Sequence, residues 1–181
     1  EGFTSKIIYQ VLRGIEYMHQ NSFIHRDIKP ENILISKQGV VKICDFGFAR
    51  SITKEHNQQA NSERLIELSA IPSQNKCTDY VATRWYRAPE LLIGDLNYGT
   101  GVDIWAVGCL AAELSNSLPL FPGKSDLDQL HLVMVTCGEL CDKQRRIFER
   151  SSTFKRFTKI LPKYKIGSIP VERHLKTTSN D

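Results

Sequence analysis

The sequence predicts a mainly α-helical fold of the α+β class, in which a short β-hairpin interrupts a series of helices. Two observations carry this prediction: apolar residues recur at helical spacing in several long segments, and two brief apolar runs flank a polar turn. The 181 residues are 41% hydrophobic and 24% charged, which is typical of one globular domain. No apolar run approaches the roughly 20 residues that cross a bilayer, so we expect no membrane contact.

The first predicted element is an amphipathic helix over residues 4–20. Thr4 or Ser5 is suited to cap its start, because a hydroxyl oxygen can accept a hydrogen bond from an N–H of the first turn. The predicted apolar face contains Ile8, Val11, Leu12, Ile15 and Met18.

The predicted hairpin pairs residues 32–35 with residues 40–43, and Ser36 to Gly39 form its turn. The polar segment 51–76 is expected to be an extended surface loop. Two more helices are predicted over roughly 101–115 and 126–137.

The C-terminal part is basic: residues 141–181 contain 11 Lys/Arg and 4 Asp/Glu, within a chain of net charge +4. Such a surface could bind nucleic acid. Helical spacing favours a different interpretation, a helix that packs its apolar residues on a core and leaves its lysines outside, so we expect no nucleic-acid partner. The residues with this spacing are Phe154, Phe157, Leu161 and Tyr164.

Five scattered cysteines do not form a zinc-binding pattern. Cys137 and Cys141 are four residues apart, but no second pair of Cys or His completes a site. An odd number of unclustered cysteines indicates free thiols in a reducing compartment, and we expect a cytoplasmic or nuclear location.

Two acidic motifs are the most informative feature of the chain. His25-Arg26-Asp27-Ile28-Lys29-Pro30-Glu31-Asn32 contains a carboxylate, a lysine and an amide within six positions, and Asp45-Phe46-Gly47 adds a second carboxylate after the hairpin. The hairpin should bring both motifs to one edge. Such a set can orient a hydroxyl, neutralise a phosphoryl group and hold magnesium.

These motifs resemble the catalytic half of a eukaryotic protein kinase. The resemblance implies ATP and Mg²⁺ as cofactors and assigns four roles. Asp27 would accept or orient the proton of the substrate hydroxyl, Lys29 would reach the transferred phosphate, and Asn32 and Asp45 would bind magnesium. His25 and Phe46 are expected to be packing residues, and Gly47 is expected to let the backbone turn sharply.

The resemblance continues downstream. Ala88-Pro89-Glu90 matches the motif that ends the activation segment, and Asp103 opens the helix whose aspartate anchors the catalytic loop. Thr83 corresponds to a threonine that bonds Asp27 and Lys29 in Ser/Thr-specific members. Glu90 would be a structural residue, paired with an arginine late in the fold.

Two longer segments, Thr83 to Glu90 and Phe121 to Leu130, resemble the CMGC group, which holds cyclin-dependent kinases and MAP kinases. Thr78-Asp79-Tyr80 fits a Thr-x-Tyr activation site. The resemblance therefore implies protein substrates, an upstream activating kinase and a preference for proline after the phosphoacceptor.

Phosphates on Thr78 and Tyr80 would find three arginines nearby, and these charge-assisted bonds would order the segment. The arginines are Arg26, Arg84 and Arg87. The alternative is that Thr78 and Tyr80 are ordinary surface residues.

The kinase pattern is incomplete in these residues, since they contain neither a Gly-x-Gly-x-x-Gly loop nor a Val-Ala-Ile-Lys strand. We therefore expect residues 1–181 to be a partial kinase domain: a C-terminal lobe with an insertion at 51–76, no N-lobe sheet and no last helices. We expect this piece alone to be inactive. The alternative is a truncated, inactive lobe that acts as a binding module and docks partners through a groove near Phe121 and Asp128.

Overall fold

The computed structural model describes residues 2–52, 84–151 and 166–167, and these residues form a helix-rich fold with two small sheets. Most of the predicted loop at 51–76 lies outside them. So do Thr78, Tyr80 and Thr83, and so does the helix predicted from Phe154 to Tyr164. In the described part, no helix has the length and apolarity needed to cross a membrane.

Helix α1 spans Gly2–Gln20, so it begins before the predicted start and contains both predicted capping residues, Thr4 and Ser5, within its first turns. Its buried residues follow an i, i+4 pattern: Ile7, Val11 and Ile15. The predicted face is confirmed at Val11 and Ile15 and wrong at Leu12, which lies off this line and is 38% exposed. Ile8 packs at the edge of the core as a partly buried residue.

Strands β1 (Phe23–Ile24) and β4 (Arg50–Ser51) pair antiparallel and form one sheet. Strands β2 (Ile33–Ile35) and β3 (Val41–Ile43) form the predicted hairpin, with Ile33 opposite Ile43 and Ile35 opposite Val41. The connection is one residue longer than predicted, because Val40 belongs to the turn and its carbonyl oxygen accepts a hydrogen bond from Ser36 N at 2.9 Å.

The side chain of Gln10 joins α1 to the hairpin. Its Nε2 donates to the carbonyl oxygen of Gly39 at 3.0 Å, and its Oε1 accepts from Val41 N at 3.1 Å. Because one amide side chain bonds the turn at Gly39 and the start of β3 at Val41, it holds this side of the hairpin against the helix.

Four helices complete the described fold: α2 (Pro89–Leu92), α3 (Gly101–Asn116), α4 (Asp126–Cys137) and α5 (Asp142–Glu149). The predictions for α3 and α4 are confirmed to within one residue. Ser125 caps α4 by accepting a hydrogen bond from Asp128 N at 3.2 Å. Helix α3 is buried on most sides, which is why its apolar residues run almost without interruption.

Two larger clusters form the core. The first lies where α1 meets α3 and includes Ile15, Ile28, Tyr86 and Phe121. The second fills the space between α4 and α5 and includes Leu130 and Phe148.

The cysteines in the described ranges are free thiols, as predicted. Cys109 lies in the core, and burial raises the pKa of its thiol to about 12. Cys137 and Cys141 are exposed at the end of α4 and just before α5. Among the described residues, no group of His, Cys, Asp and Glu could hold a metal ion by itself.

Shortening a side chain to alanine should cost much more stability on the buried side of α1 than on its exposed side. Ile15→Ala should lower the free energy of unfolding by about 2–5 kcal/mol, because it leaves a cavity at a residue that is 1% exposed. Leu12→Ala makes a comparable change on the exposed side and should cost about 1 kcal/mol or less. Urea unfolding followed by circular dichroism measures both, and equal losses would contradict the assigned burial.

Candidate active site

One buried carboxylate, that of Asp103 near the start of α3, holds the beginning of the segment from His25 to Asn32. Oδ2 of Asp103 accepts a hydrogen bond from His25 N at 2.9 Å, and Oδ1 accepts one from Arg26 N at 2.8 Å. The ring Nε2 of His19, at the end of α1, lies 2.8 Å from Oδ2. The carboxylate therefore binds the segment and α1 at once, rather than the N–H groups of its own helix.

The backbone at Arg26 is in the left-handed region, with φ at 69°. A non-glycine residue there costs about 1–3 kcal/mol and persists only where its surroundings impose it. The bonds from Asp103 to the N–H groups of His25 and Arg26 supply this constraint, because a hydrogen bond to a charged group contributes about 1.5–3 kcal/mol. Asp103 thus fixes an unfavourable conformation one residue before Asp27.

His25 is fully buried and its tautomer follows from its two ring contacts. Nδ1 accepts a hydrogen bond from Asp27 N at 3.3 Å, so that atom carries no proton. Nε2 then bears the hydrogen and donates to the carbonyl oxygen of Cys44 at 3.1 Å. The neutral ring links Asp27 to the residue before Asp45, which fits a positioning role better than proton transfer.

Asp27, Lys29 and Asn32 form one polar cluster. Oδ2 of Asp27 lies 2.9 Å from Nζ of Lys29 and accepts a hydrogen bond from Nδ2 of Asn32 at 3.1 Å. Nδ2 of Asn32 also donates to the carbonyl oxygen of Asp27 at 2.8 Å. The second carboxylate oxygen, Oδ1, takes part in none of these contacts. The carboxylate is therefore oriented by a cation and an amide that bind the same one of its two oxygens.

The hairpin joins this cluster to Asp45. Cys44 N donates to the carbonyl oxygen of Asn32 at 2.9 Å, directly below the paired residues Ile33 and Ile43. Asn32 and Asp45 therefore lie at the same end of the hairpin, as the sequence predicts.

The sharp turn in the second motif is at Asp45 and not at Gly47, where it was predicted. Asp45 has φ at 60°, and its Oδ1 accepts a hydrogen bond from Gly47 N at 3.2 Å. Aspartate tolerates this left-handed conformation because its own carboxylate bonds the backbone two residues on. A side chain at Gly47 would place its Cβ 3.2 Å from that same oxygen. Gly47 therefore leaves room for the carboxylate rather than making the bend.

The Phe46 ring lies beside His25, with centroids 5.2 Å apart, and is nevertheless 53% exposed. It packs against the segment on one face only.

The three predicted phosphate-binding arginines are divided between two places. Arg84 Nε and Arg87 Nη1 lie 3.2 and 3.6 Å from Oδ1 of Asp126, at the start of α4. Arg26 instead donates from Nε to the carbonyl oxygen of Phe48 at 2.6 Å and from Nη1 to the hydroxyl of Tyr98 at 2.8 Å. Arg26 therefore has partners different from those of Arg84 and Arg87, and the predicted phosphate sites, Thr78 and Tyr80, lie outside the described residues.

Tyr86 lies between the arginines of this segment and donates its hydroxyl hydrogen to Glu113 of α3. Burial and this bond raise the pKa of Tyr86, so it stays protonated. Glu90, predicted to be structural, is half-buried in α2, and its carbonyl oxygen accepts a hydrogen bond from Asp95 N at 2.8 Å.

The groove predicted near Phe121 and Asp128 is not available for docking through Phe121. That ring is 2% exposed and stacks on Trp105, with centroids 6.0 Å apart. Asp128 accepts a hydrogen bond from Lys124 N at 2.8 Å and so stabilises the turn into α4.

Sequence reasoning did not identify His19, Tyr98 or Asp126 as part of this region. Each is separated from its partners by about 40 positions or more; His19 and Tyr98 belong to no motif, and Asp126 lies in the segment from Phe121 to Leu130 without any sign there of its contact with the arginines. These residues can be found only from contacts between positions far apart in the chain, which the folded structure supplies.

The donor set at the end of the hairpin suits magnesium. Asp45 offers carboxylate oxygens, and Asn32 offers an amide oxygen because its Nδ2 is used in the bonds to Asp27. Mg²⁺ prefers such oxygen ligands and needs only one or two carboxylates when substrate phosphates complete its shell. The residues present therefore fit the ion, although too few of them carry charge to form a metal site unaided.

Comparison with known proteins gives a consistent result. The family model for the protein kinase domain matches residues 1–166. Cyclin-dependent kinase-like 4 of Mus musculus is 48% identical over 155 residues, which are 86% of this chain and 40% of that protein. Cyclin-dependent kinase-like 2 of Rattus norvegicus is 50% identical over 149 residues, 82% of this chain and 26% of that protein. The chain thus spans two fifths or less of the length of these relatives.

Replacement of Asp103 should loosen the segment from His25 to Asn32, because Asp103 holds the backbone of His25 and Arg26. Asp103→Asn keeps the shape but turns one acceptor into a donor, so a buried N–H of His25 or Arg26 loses its partner. We expect a loss of about 2–4 kcal/mol in the free energy of unfolding and faster amide exchange at residues 25 and 26.

Asp142→Asn is the matched control, because Asp142 is exposed in the first turn of α5. It should change the free energy of unfolding by no more than about 0.5 kcal/mol. Thermal unfolding and hydrogen exchange with mass spectrometry measure both variants. Unchanged exchange in Asp103→Asn would show that the loop is held by other contacts.

Proposed function

The chain belongs to the protein kinase family, within its CMGC group, and from this premise we propose that the full-length protein is a Ser/Thr protein kinase. It transfers the γ-phosphate of ATP to serine or threonine of protein substrates. One observation carries the proposal most directly: Oδ2 of Asp27 contacts Nζ of Lys29 and Nδ2 of Asn32, next to the hairpin end that bears Asp45. Residues 1–181 form the C-terminal lobe in this proposal.

Asp27 accepts or orients the proton of the acceptor hydroxyl. The Lys29 ammonium and the Asn32 amide bind the same oxygen of its carboxylate, which leaves the other oxygen to face the hydroxyl. The transfer needs little covalent assistance, so accurate positioning of the nucleophile contributes much of the rate.

Lys29 lies within reach of both Asp27 and the migrating phosphoryl group, where its charge offsets the charge that develops on the phosphate oxygens. Asn32 and Asp45 would hold magnesium through oxygen atoms. When bound, that ion supplies positive charge to the phosphates. Thr83 would bond Asp27 and Lys29 from the following segment.

The rest of the machinery is expected beyond these residues. ATP needs donors above the phosphates, and residues 1–181 contain no glycine loop or strand lysine of the kinase pattern. We therefore expect residues 1–181 to be inactive by themselves.

Thr78 and Tyr80 are proposed phosphorylation sites for an upstream kinase. Arg84 and Arg87 share Asp126, so a phosphate would compete with that carboxylate for their charge.

Asp45→Asn in the full-length protein should lower kcat/KM at least about 100-fold, because an amide replaces the charged ligand for magnesium. A higher Mg²⁺ concentration should recover part of the loss. Transfer of ³²P from ATP to a protein substrate measures the effect, with Asp142→Asn as the matched surface control. Normal activity in Asp45→Asn would refute the assigned role.

Substrate preference is expected to include proline directly after the phosphoacceptor. A peptide array assayed with the full-length protein should show Ser-Pro and Thr-Pro peptides phosphorylated about tenfold faster than matched Ser-Ala and Thr-Ala peptides. Equal rates would remove the proposal of proline direction and leave the kinase assignment intact.

A further inference from the structure

A closed ring of hydrogen bonds joins three residues, Trp85, Gly123 and Gln129. The indole Nε1 of Trp85 donates to the carbonyl oxygen of Gly123 at 3.1 Å. Gly123 N donates to Oε1 of Gln129 at 3.0 Å, and Nε2 of Gln129 donates to the carbonyl oxygen of Trp85 at 3.1 Å. Each residue gives one donor and one acceptor, so the three partners satisfy one another.

The ring of hydrogen bonds forms with only one orientation of the Gln129 amide. Gln129 is 0% exposed, and reversing its amide would set its NH₂ group against Gly123 N–H and its oxygen against the carbonyl of Trp85. Both bonds to Gln129 would be lost, and Gly123 N would keep only its contact with the carbonyl oxygen of Phe121 at 2.9 Å. The side chain of Gln129 thus fixes the backbone of Trp85 relative to α4.

Gly123 is required for the ring to close. A Cβ at this position would lie 2.5 Å from Oε1 of Gln129 and 2.6 and 2.7 Å from its Cα and backbone N. Two of these atoms belong to the backbone of α4 and cannot rotate away. Any side chain at Gly123 therefore pushes its segment off the helix.

Asp126 makes a second attachment, close to the ring, between α4 and the segment that contains Trp85. Its carboxylate lies between Arg84 and Arg87, so residues 84–87 are joined to the first turns of α4 at both ends. The middle of the segment reaches the active site, since Tyr86 packs in the same cluster as Ile28, the neighbour of Asp27.

The two sides of Asp27 consequently have different supports. Asn32 and Asp45, the proposed magnesium ligands, lie at the end of a hairpin that Gln10 of α1 holds. Residues 84–87 are held by α4, and Tyr86 of this segment shares a core cluster with Ile28, the residue after Asp27. A change at Gln129 therefore displaces residues 84–87 before it affects Asn32 and Asp45.

We propose that Gln129 and Gly123 are positioning residues for segment 84–87, and that this ring sets the affinity for the protein substrate rather than for the nucleotide. The inference deepens the proposed kinase function and rests on it. A peptide must lie across the surface beside Asp27 to present its hydroxyl, so a displaced segment 84–87 weakens peptide binding. The nucleotide side, supported by α1, keeps its geometry.

The test uses the full-length protein, ATP and the peptide most strongly phosphorylated in the array. Gly123→Ala should raise the KM for the peptide by about tenfold or more and leave the KM for ATP within about twofold. Gly108→Ala is the matched control, because Gly108 is exposed in α3 and a Cβ there meets no atom within 4 Å. It should change neither constant.

Trp85→Phe is the second variant. It removes the hydrogen bond of the indole to Gly123, keeps an aromatic side chain at this position and leaves the other two hydrogen bonds in place. It should raise the KM for the peptide by about fivefold. If Gly123→Ala does not fold, this variant decides the question.

The outcomes separate the inference from the proposed function. Unchanged peptide KM in the folded variants, or an equal rise in both KM values, overturns the inference while transfer by the wild-type protein supports the kinase function. No transfer by the wild-type protein to any peptide of the array overturns both.

Discussion

The buried carboxylate of Asp103 is the interaction on which the rest of the active site depends. It accepts hydrogen bonds from the backbone of His25 and Arg26 and also contacts His19 of α1. A buried charge without partners would be expensive, but three donors offset its desolvation. Because two of those donors are successive N–H groups, the carboxylate dictates the path of the chain at Arg26, whose left-handed backbone turns Asp27 toward the cluster with Lys29 and Asn32.

The second constraint is the register of the hairpin. Ile33 pairs with Ile43, so the residues just below them, Asn32 and Cys44, meet across the ladder. A shift of one residue would separate Asn32 from the residue before Asp45 and would turn every side chain of the strand to the other face. Gln10 holds the hairpin against α1, because its amide bonds the backbone of Gly39 in the turn and of Val41 at the start of β3.

Much of this arrangement was predictable from local pattern, and the failures have a common cause. Helices α3 and α4 were predicted to within one residue, because apolar residues recur over the whole length of each segment. The buried face of α1 was misplaced at Leu12, since periodicity gives the spacing of a face but not which line of residues meets α3. The turn at Asp45 was assigned to Gly47, because residue type alone does not reveal that a side chain bonds its own backbone. Contacts between distant positions, such as those of His19 and Tyr98, come from topology and leave no local signal.

The two halves of the site differ in how they can be disturbed. The hairpin side depends on α1 through Gln10, and the side formed by residues 84–87 depends on α4 through Asp126 and Gln129. They are joined near Asp27 by the ring of His25, which contacts Asp27 N and the carbonyl oxygen of Cys44, and by the core cluster that contains both Ile28 and Tyr86. They are also joined through α3, since Asp103 binds the backbone of His25 and Arg26 while Glu113 accepts the hydroxyl hydrogen of Tyr86. Because a close-packed interior transmits strain, a change in either support can reach the opposite half through the residues next to Asp27 or through α3.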